Sequence, residues 1–287
     1  MKHINYFLQF LFISCLLILF TIVGLKFSRI ISSKLFSTFG PFFRSKKIIE
    51  QNISFAFNKS DKEFKKVIID NMWKSYGKIF AEYAFMKYFR KIKSEKFLKI
   101  KGQEILEEIK LKKDPVIFVS GHFDNFELMA MHIEKSGLDL AAIYRPLNNN
   151  YLNPVMEYIR KKYICRKQIK KGISGTKKIL NHFKNGTSIA LMIDQRLSQG
   201  IKTNFFNQEA LTTTIPAQFV KKFNCKIVPI YIERINKFNF ALKVYEPITF
   251  SKDKTIHNIT SDLNKVLEKM VLKNPEQWIW SHNRWKV

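Results

Sequence analysis

Pro115-Val-Ile-Phe-Val-Ser120-Gly121-His122 is the stretch from which the fold can be read. Four consecutive apolar residues, two of them Val and one Ile, lie between a proline and a glycine, which is the pattern of a short strand buried on both faces. The apolar spacing after it predicts a helix over Phe123–Lys135. Outward from this unit the alternation repeats: strand Leu140–Tyr144, helices Leu152–Tyr163 and Ser174–Phe183, strand Ser188–Ile193, helix Ile215–Phe223, strand Ile227–Glu233. Such alternation implies an α/β fold, a mostly parallel sheet flanked by helices. Asn236-Lys237 suits a hairpin to a last strand, Phe240–Tyr245, followed by a helix from His257 to Leu272.

Upstream, Ser60-Asp61-Lys62-Glu63 carries an S-x-x-E capping box ahead of a long helical pattern that should end before Lys91, and a shorter helix is expected at Glu104–Leu111. Tyr6–Leu25 contains no charged residue and is long enough, at ~1.5 Å per residue, for a ~30 Å hydrocarbon core, so an N-terminal transmembrane helix is expected. Only Lys2 and His3 precede it, whereas Lys26, Arg29, Lys34, Arg44, Lys46 and Lys47 follow, which places the rest of the chain on the cytoplasmic side of a single-pass span. The stretch Ile30–Lys47 mixes Phe residues with cations, which suits either an interfacial segment or a linker. The expected organisation is a transmembrane anchor at 1–25, a basic, Phe-rich, membrane-proximal helical segment at 26–93, and a catalytic α/β domain at 94–287.

The formal charge of +27 attracts polyanions: anionic lipid, an acidic carrier protein or nucleic acid. Nucleic acid is disfavoured, since no helix-turn-helix, zinc finger or aromatic RNP motif occurs and the cations are dispersed. Three cysteines without a C-x-x-C pair support neither a disulfide framework nor a zinc site. No metal and no cofactor is expected.

In open α/β sheets, sites gather where strands run out at their carboxyl ends. Here those places read Ser120-Gly121-His122, Tyr144-Arg145-Pro146 and Asp194-Gln195-Arg196. His122 and Glu127 are five apart, ~140° around one helix, so they meet only if His122 sits in the turn before the helix and Glu127 reaches back to it. The carboxylate would then fix the imidazole tautomer and leave the other nitrogen as a base for a hydroxyl, which suits acyl transfer. An additional carboxylate, Asp124, is a competing partner for His122.

Gly121-His122-Phe123-Asp124-Asn125-Phe126-Glu127 resembles the H-x4-E block of the late acyltransferases of lipid A biosynthesis, the lauroyl/myristoyl transferase family within the glycerolipid acyltransferase superfamily. Tyr144-Arg145-Pro146 with Asn153-Pro154, Lys171-Gly172, Asp194-Gln195 with Phe205-Phe206, and Pro275-Glu276-Gln277-Trp278 through Trp285 follow that family's pattern in order, and the similarity reaches upstream through Arg44, Asn52, Gly77 and Glu82. Asp124 and Phe126 depart from the family's Gly and Trp, and Asn207 from its Gly.

The resemblance implies an O-acyltransferase with His122 as general base and Glu127 as its orienting partner. Asn125, Arg145, Arg166, Asp194 and Gln195 become candidate substrate-binding residues, the arginines for phosphate or a developing oxyanion. It also implies an acyl carrier protein thioester as donor and a lipid A precursor as acceptor, with a lysophospholipid, aminolipid or glycolipid as alternative acceptors. His182, His257 and His282 read as surface or core histidines.

Overall fold

The computed structural model describes residues 2–58 and 60–286; Met1, Lys59 and Val287 lie outside the described residues. Helix α1 (Lys2–Phe39) leads through a 3-10 turn (Gly40–Phe43) to α2 (Lys46–Ala56), α3 (Lys62–Tyr83) and α4 (Met86–Lys91). Then follow β1 (Leu98–Lys101), α5 (Gln103–Lys112), β2 (Ile117–Ser120), α6 (Glu127–Lys135), β3 (Leu140–Tyr144), and α7 (Leu152–Ile159) running into a π turn (Arg160–Ile164). The remainder is β4 (Lys167–Lys170), α8 (Ile173–Lys184), β5 (Ser188–Met192), a hairpin of β6 (Ile201–Phe205) and β7 (Gln208–Thr212), α9 (Ile215–Phe223), β8 (Ile227–Arg234), β9 (Phe240–Val244) and α10 (Ile256–Lys273).

Seven strands form the main sheet in the order β1-β9-β8-β2-β5-β3-β4. The β8–β9 pair is antiparallel, as the Asn236-Lys237 turn implies, and the other neighbours are parallel. β2, buried at all four residues, lies in the middle. Its two neighbours, β8 and β5, bring distant parts of the chain to the same edge of the sheet. The α/β architecture is as expected from the sequence, with three differences in detail. β1, β4 and the β6–β7 hairpin are additional, while α2 gives residues 46–56 a helix of their own within the 26–93 segment expected to be helical. Asp61 rather than Ser60 caps α3, its side chain accepting from Phe64 N at 2.7 Å. Finally, α6 begins at Glu127 and not at Phe123, because Asp124 takes a left-handed φ of 35° and its amide donates to Gln277 O instead of entering a helix.

α1 is long and apolar enough to cross a membrane. It breaks at Gly24 (φ 81°), a conformation that costs glycine little. Beyond the break the helix packs on α3 so closely that a Cβ at Gly77 would lie 2.3 Å from Ser32 O. Before it, Phe20 is buried against Phe80, Tyr6 O accepts from Asn149 Nδ2 at 2.8 Å, and Phe7 and Phe10 pack on Tyr151. The opposite side, with Leu8, Leu11, Phe12, Leu19 and Ile22, is exposed and apolar. Ile49, Ile53, Ile68 and Met72 of α2 and α3 belong to the same core as the sheet.

Candidate active site

The register of two parallel strands builds the site. Ser120 at the end of β2 pairs with Met192 at the end of β5, so the residues two beyond each, His122 and Asp194, emerge side by side. Asp194 grips His122 twice: Oδ2 accepts the His122 amide at 2.7 Å and Oδ1 lies 2.8 Å from Nδ1. Trp278 Nε1 donates to the same Oδ2 at 3.0 Å. Gly121 gives the room for this, since a Cβ there would sit 2.9 Å from the Phe123 ring and 3.1 Å from Asp194 Oδ2.

Asp194 is 0% exposed and the His122 side chain 20%, so the acid is sealed while the imidazole reaches the cavity. Burial works to raise the Asp194 carboxyl, but His122, through charge and hydrogen bonds, and the Trp278 indole together hold it below the usual carboxylate range. An ionised Asp194 accepts a hydrogen bond from Nδ1–H, which fixes the proton on Nδ1 and leaves Nε2, which has no partner among the described residues, as the basic nitrogen.

The cavity beside His122 has a volume of about 890 Å³. Its floor is apolar, made by Ala142 and Ile143 of β3, Ala190 and Met192 of β5, and Ala130 of α6. Its walls bear Arg44, Arg145, Arg160, Lys171, Arg196 and Lys286 against one carboxylate among the described residues, Glu127. An apolar trough beneath a cationic rim is complementary to an acyl chain joined to a phosphorylated head. Burial, and next to it Arg145, push the Lys171 ammonium below its ordinary value.

The candidates from the sequence separate into two groups. His122, Glu127, Arg145 and Gln195 line the cavity, whereas Asp194 is sealed behind His122 and so holds the imidazole instead of touching a substrate. Glu127, however, is not hydrogen-bonded to the imidazole: its Oε1 accepts from Tyr83 OH at 2.5 Å and Arg160 Nε at 2.8 Å, and Asp194 occupies the orienting place. Asn125 is fully buried and donates to Glu82 Oε2 at 2.6 Å, so it cannot touch a substrate. Arg166 pairs with Glu134 at 3.2 Å, 80% exposed, and is not among the residues that line the cavity; Arg160 stands there instead. Asp124 does not compete for His122, being bonded to Arg234 Nη2 at 2.6 Å and Ser75 Oγ at 2.7 Å.

His282, read from the sequence as a bystander, is on the cavity wall, where Nε2 accepts the Arg196 amide at 2.9 Å. Arg160 had no motif to mark it, and His282 lies inside the Pro275–Trp285 stretch without being singled out there; only the π turn after α7 and the fold of the carboxyl-terminal segment bring them to the cavity.

With this geometry in hand, similarity to known proteins decides the family. All of residues 1–287 match the family model described as bacterial lipid A biosynthesis acyltransferase. The chain belongs to this family. Relatives include lipid A biosynthesis acyltransferase 2 of Shigella flexneri, 27% identical over 236 residues that cover 80% of this chain and 74% of that protein. Lipid A biosynthesis lauroyltransferase of Escherichia coli K12 is 24% identical over 257 residues, 85% of this chain and 80% of that one. Among solved structures, the 1-acyl-sn-glycerophosphate (LPA) acyltransferase PlsC of Thermotoga maritima aligns over 87% of this chain and 98% of its own at 14% identity and a TM-score of 0.41, a likeness on which nothing rests. Membership makes the chain an acyltransferase of lipid A biosynthesis, which agrees with the resemblance of its H-x4-E block.

Proposed function

We propose that the chain moves a fatty acyl group from an acyl carrier protein thioester to a hydroxyl of a lipid A precursor, with His122 as general base. The observation that carries this reading is the Asp194-bound imidazole facing a cationic, apolar-floored cavity. His122 Nε2 takes the hydroxyl proton as the alcohol oxygen attacks the thioester carbonyl; the tetrahedral adduct then expels the thiolate, which leaves with that proton as a thiol, and an ester remains. Asp194 holds the ring in the required tautomer and offsets the imidazolium charge. Glu127 acts at one remove, fixing Arg160 at the cavity wall.

The acyl carrier protein as donor is supported by charge. An excess of +27 steers a large acidic protein more strongly than a small coenzyme A thioester. kcat/KM should be higher with the carrier protein thioester, and the advantage should shrink as salt rises to ~0.5 M. Equal rates with both donors at low salt would remove the carrier protein from the account.

Attachment to the cytoplasmic face of the inner membrane, with anionic lipids beside the cations that follow the span, is supported by the exposed apolar side of α1 and by its flanking charges. How α1 sits is decided by labelling a cysteine placed at His3 in whole cells: reaction from the periplasm means a single crossing, protection means that the Tyr6 and Tyr151 contacts hold the helix along the catalytic unit.

The function itself is tested by incubating the purified full chain with a panel of acyl carrier thioesters and total precursor lipid, and reading masses. One added acyl chain on a lipid A precursor, lost in His122→Ala, is the expected result; acylation of a lysophospholipid alone would move the acceptor elsewhere.

A further inference from the structure

His282 stands on the wall of the cavity that His122 also lines. The backbone amide of Arg196 donates to its Nε2 at 2.9 Å, and an amide can donate only to an unprotonated ring nitrogen. The ring proton therefore sits on Nδ1. Nδ1 has no hydrogen-bond partner among the described residues, and it is not among the buried polar atoms left without one, so it is accessible on a residue that lines the cavity. Burial, only partly offset by Asp194, pushes the His282 imidazole down to about 4, so the ring stays neutral when the enzyme works. A neutral imidazole with one fixed N–H is a hydrogen-bond donor that does not compete with His122 for the hydroxyl proton. Its placement is rigid: Asn52 Nδ2 donates to the carbonyl oxygens of Trp280 and His282 at 2.8 Å each, and the neighbouring Trp278 is the residue that binds Asp194.

We propose that His282 is a catalytic residue whose Nδ1–H donates to the thioester carbonyl oxygen and stabilises the oxyanion formed when the acceptor oxygen attacks. The proposal rests on the acyl-transfer reading above. It gives the two imidazoles opposite duties: His122 takes the proton from the nucleophile, His282 keeps its own and binds the oxygen that gains charge. No proton passes through His282; its hydrogen bond to the oxyanion weakens when the adduct collapses to ester and thiol, and Nδ1 keeps its hydrogen.

Two substitutions separate this role from holding the Arg196 turn. In His282→Gln the side-chain carbonyl can take the place of Nε2 and accept the Arg196 amide, but no donor remains at the Nδ1 position. We expect kcat to fall by ~10²–10³-fold, with KM changed by less than about threefold, the signature of a donor that acts in the transition state. In His282→Asn a donor is kept near the Nδ1 position and the Arg196 acceptor is lost; kcat should recover by at least ~10-fold over His282→Gln. Wild-type-like turnover in His282→Gln, or His282→Asn the poorer of the two, overturns the proposal.

Should the variants not fold, the wild-type chain decides. With ring-15N histidine, a His282 proton must be found on Nδ1, and its resonance must move when a ketone analogue of the thioester, sulfur replaced by methylene, is bound. A proton on Nε2, or a resonance that does not move, overturns it. Failure of the acyl-transfer reading is distinguishable, because wild-type protein would then form no acylated lipid at all.

Discussion

Two polar clusters each draw on the loop after β2, one through Asp124 and the other through His122, and they are built on opposite terms. One is the buried set Arg29, Glu82, Asp124 and Arg234, two cations and two carboxylates closed off from water, with Glu82 bonded to Arg29 at 2.6 Å and to Arg234 at 2.8 Å. Burial opposes the charge on Arg234, yet Asp124 and Glu82 outweigh it and hold the guanidinium above its ordinary range. Every carboxylate there is used up on an arginine. The other cluster, Asp194 with His122, satisfies the acid completely and leaves one imidazole nitrogen free at a cavity. The first arrangement locks α1 and α3 to the sheet; the second keeps a reactive atom available. Residues 122 and 127 face the cavity while 124 and 125 face the ion cluster, so one heptapeptide serves both.

If that division is right, the two clusters fail differently. The largest effect is expected from Glu82→Ala, which leaves Arg29 and Arg234 buried with Asp124 as their only carboxylate and should cost about 3–5 kcal/mol, read from the urea midpoint in detergent. A loss below ~1 kcal/mol would mean that water reaches the cluster.

Acid acts instead on two histidines that belong to neither cluster. Burial, reinforced by Lys135, pushes the imidazole of His132, held between Ser94 and Gln103, down to about 4, as burial does for His282. Both rings start from 6.5 in the open chain, so on acidification the unfolded state binds protons first. Their contribution to stability is complete above pH 6.5 and drains away between 6.5 and about 4, by up to ~1.4 kcal/mol per pH unit for each ring. His132→Gln should flatten that slope by about half; an unchanged slope would mean His132 is already charged when folded.

Tyr83→Phe should do least. It removes the hydrogen bond to Glu127 and a longer one, 3.3 Å, from Arg160 Nη2, but leaves the Arg160–Glu127 bond at 2.8 Å, so KM should rise by only a few fold, with kcat nearly unchanged.

The fold was legible where an element announces itself locally. Leu140–Tyr144 and Ile215–Phe223 have the bounds that their apolar patterns give. β4, Lys167-Gln-Ile-Lys170, was hidden because an edge strand buries only Ile169, and β1 is hidden in the same way by its lysines. In the site, His122 was legible from its place after a buried strand. Its partner was not: Asp194 is 72 residues away and arrives through the β2–β5 register, whereas Glu127 is near in sequence and turns to Arg160. Asn125 shows the converse, a residue inside the motif that the turn at Asp124 points into the core.

The central claim is that Asp194, and not Glu127, orients the base. It is tested by measuring kcat and KM for Asp194→Asn and Glu127→Ala side by side. Asp194→Asn should lower kcat by ~10³-fold with KM little changed, because the ring loses its tautomer. Glu127→Ala should act mainly on KM, because it releases Arg160 from the cavity wall. Near-normal turnover in Asp194→Asn, together with a ~10³-fold loss of kcat at unchanged KM in Glu127→Ala, would contradict the account.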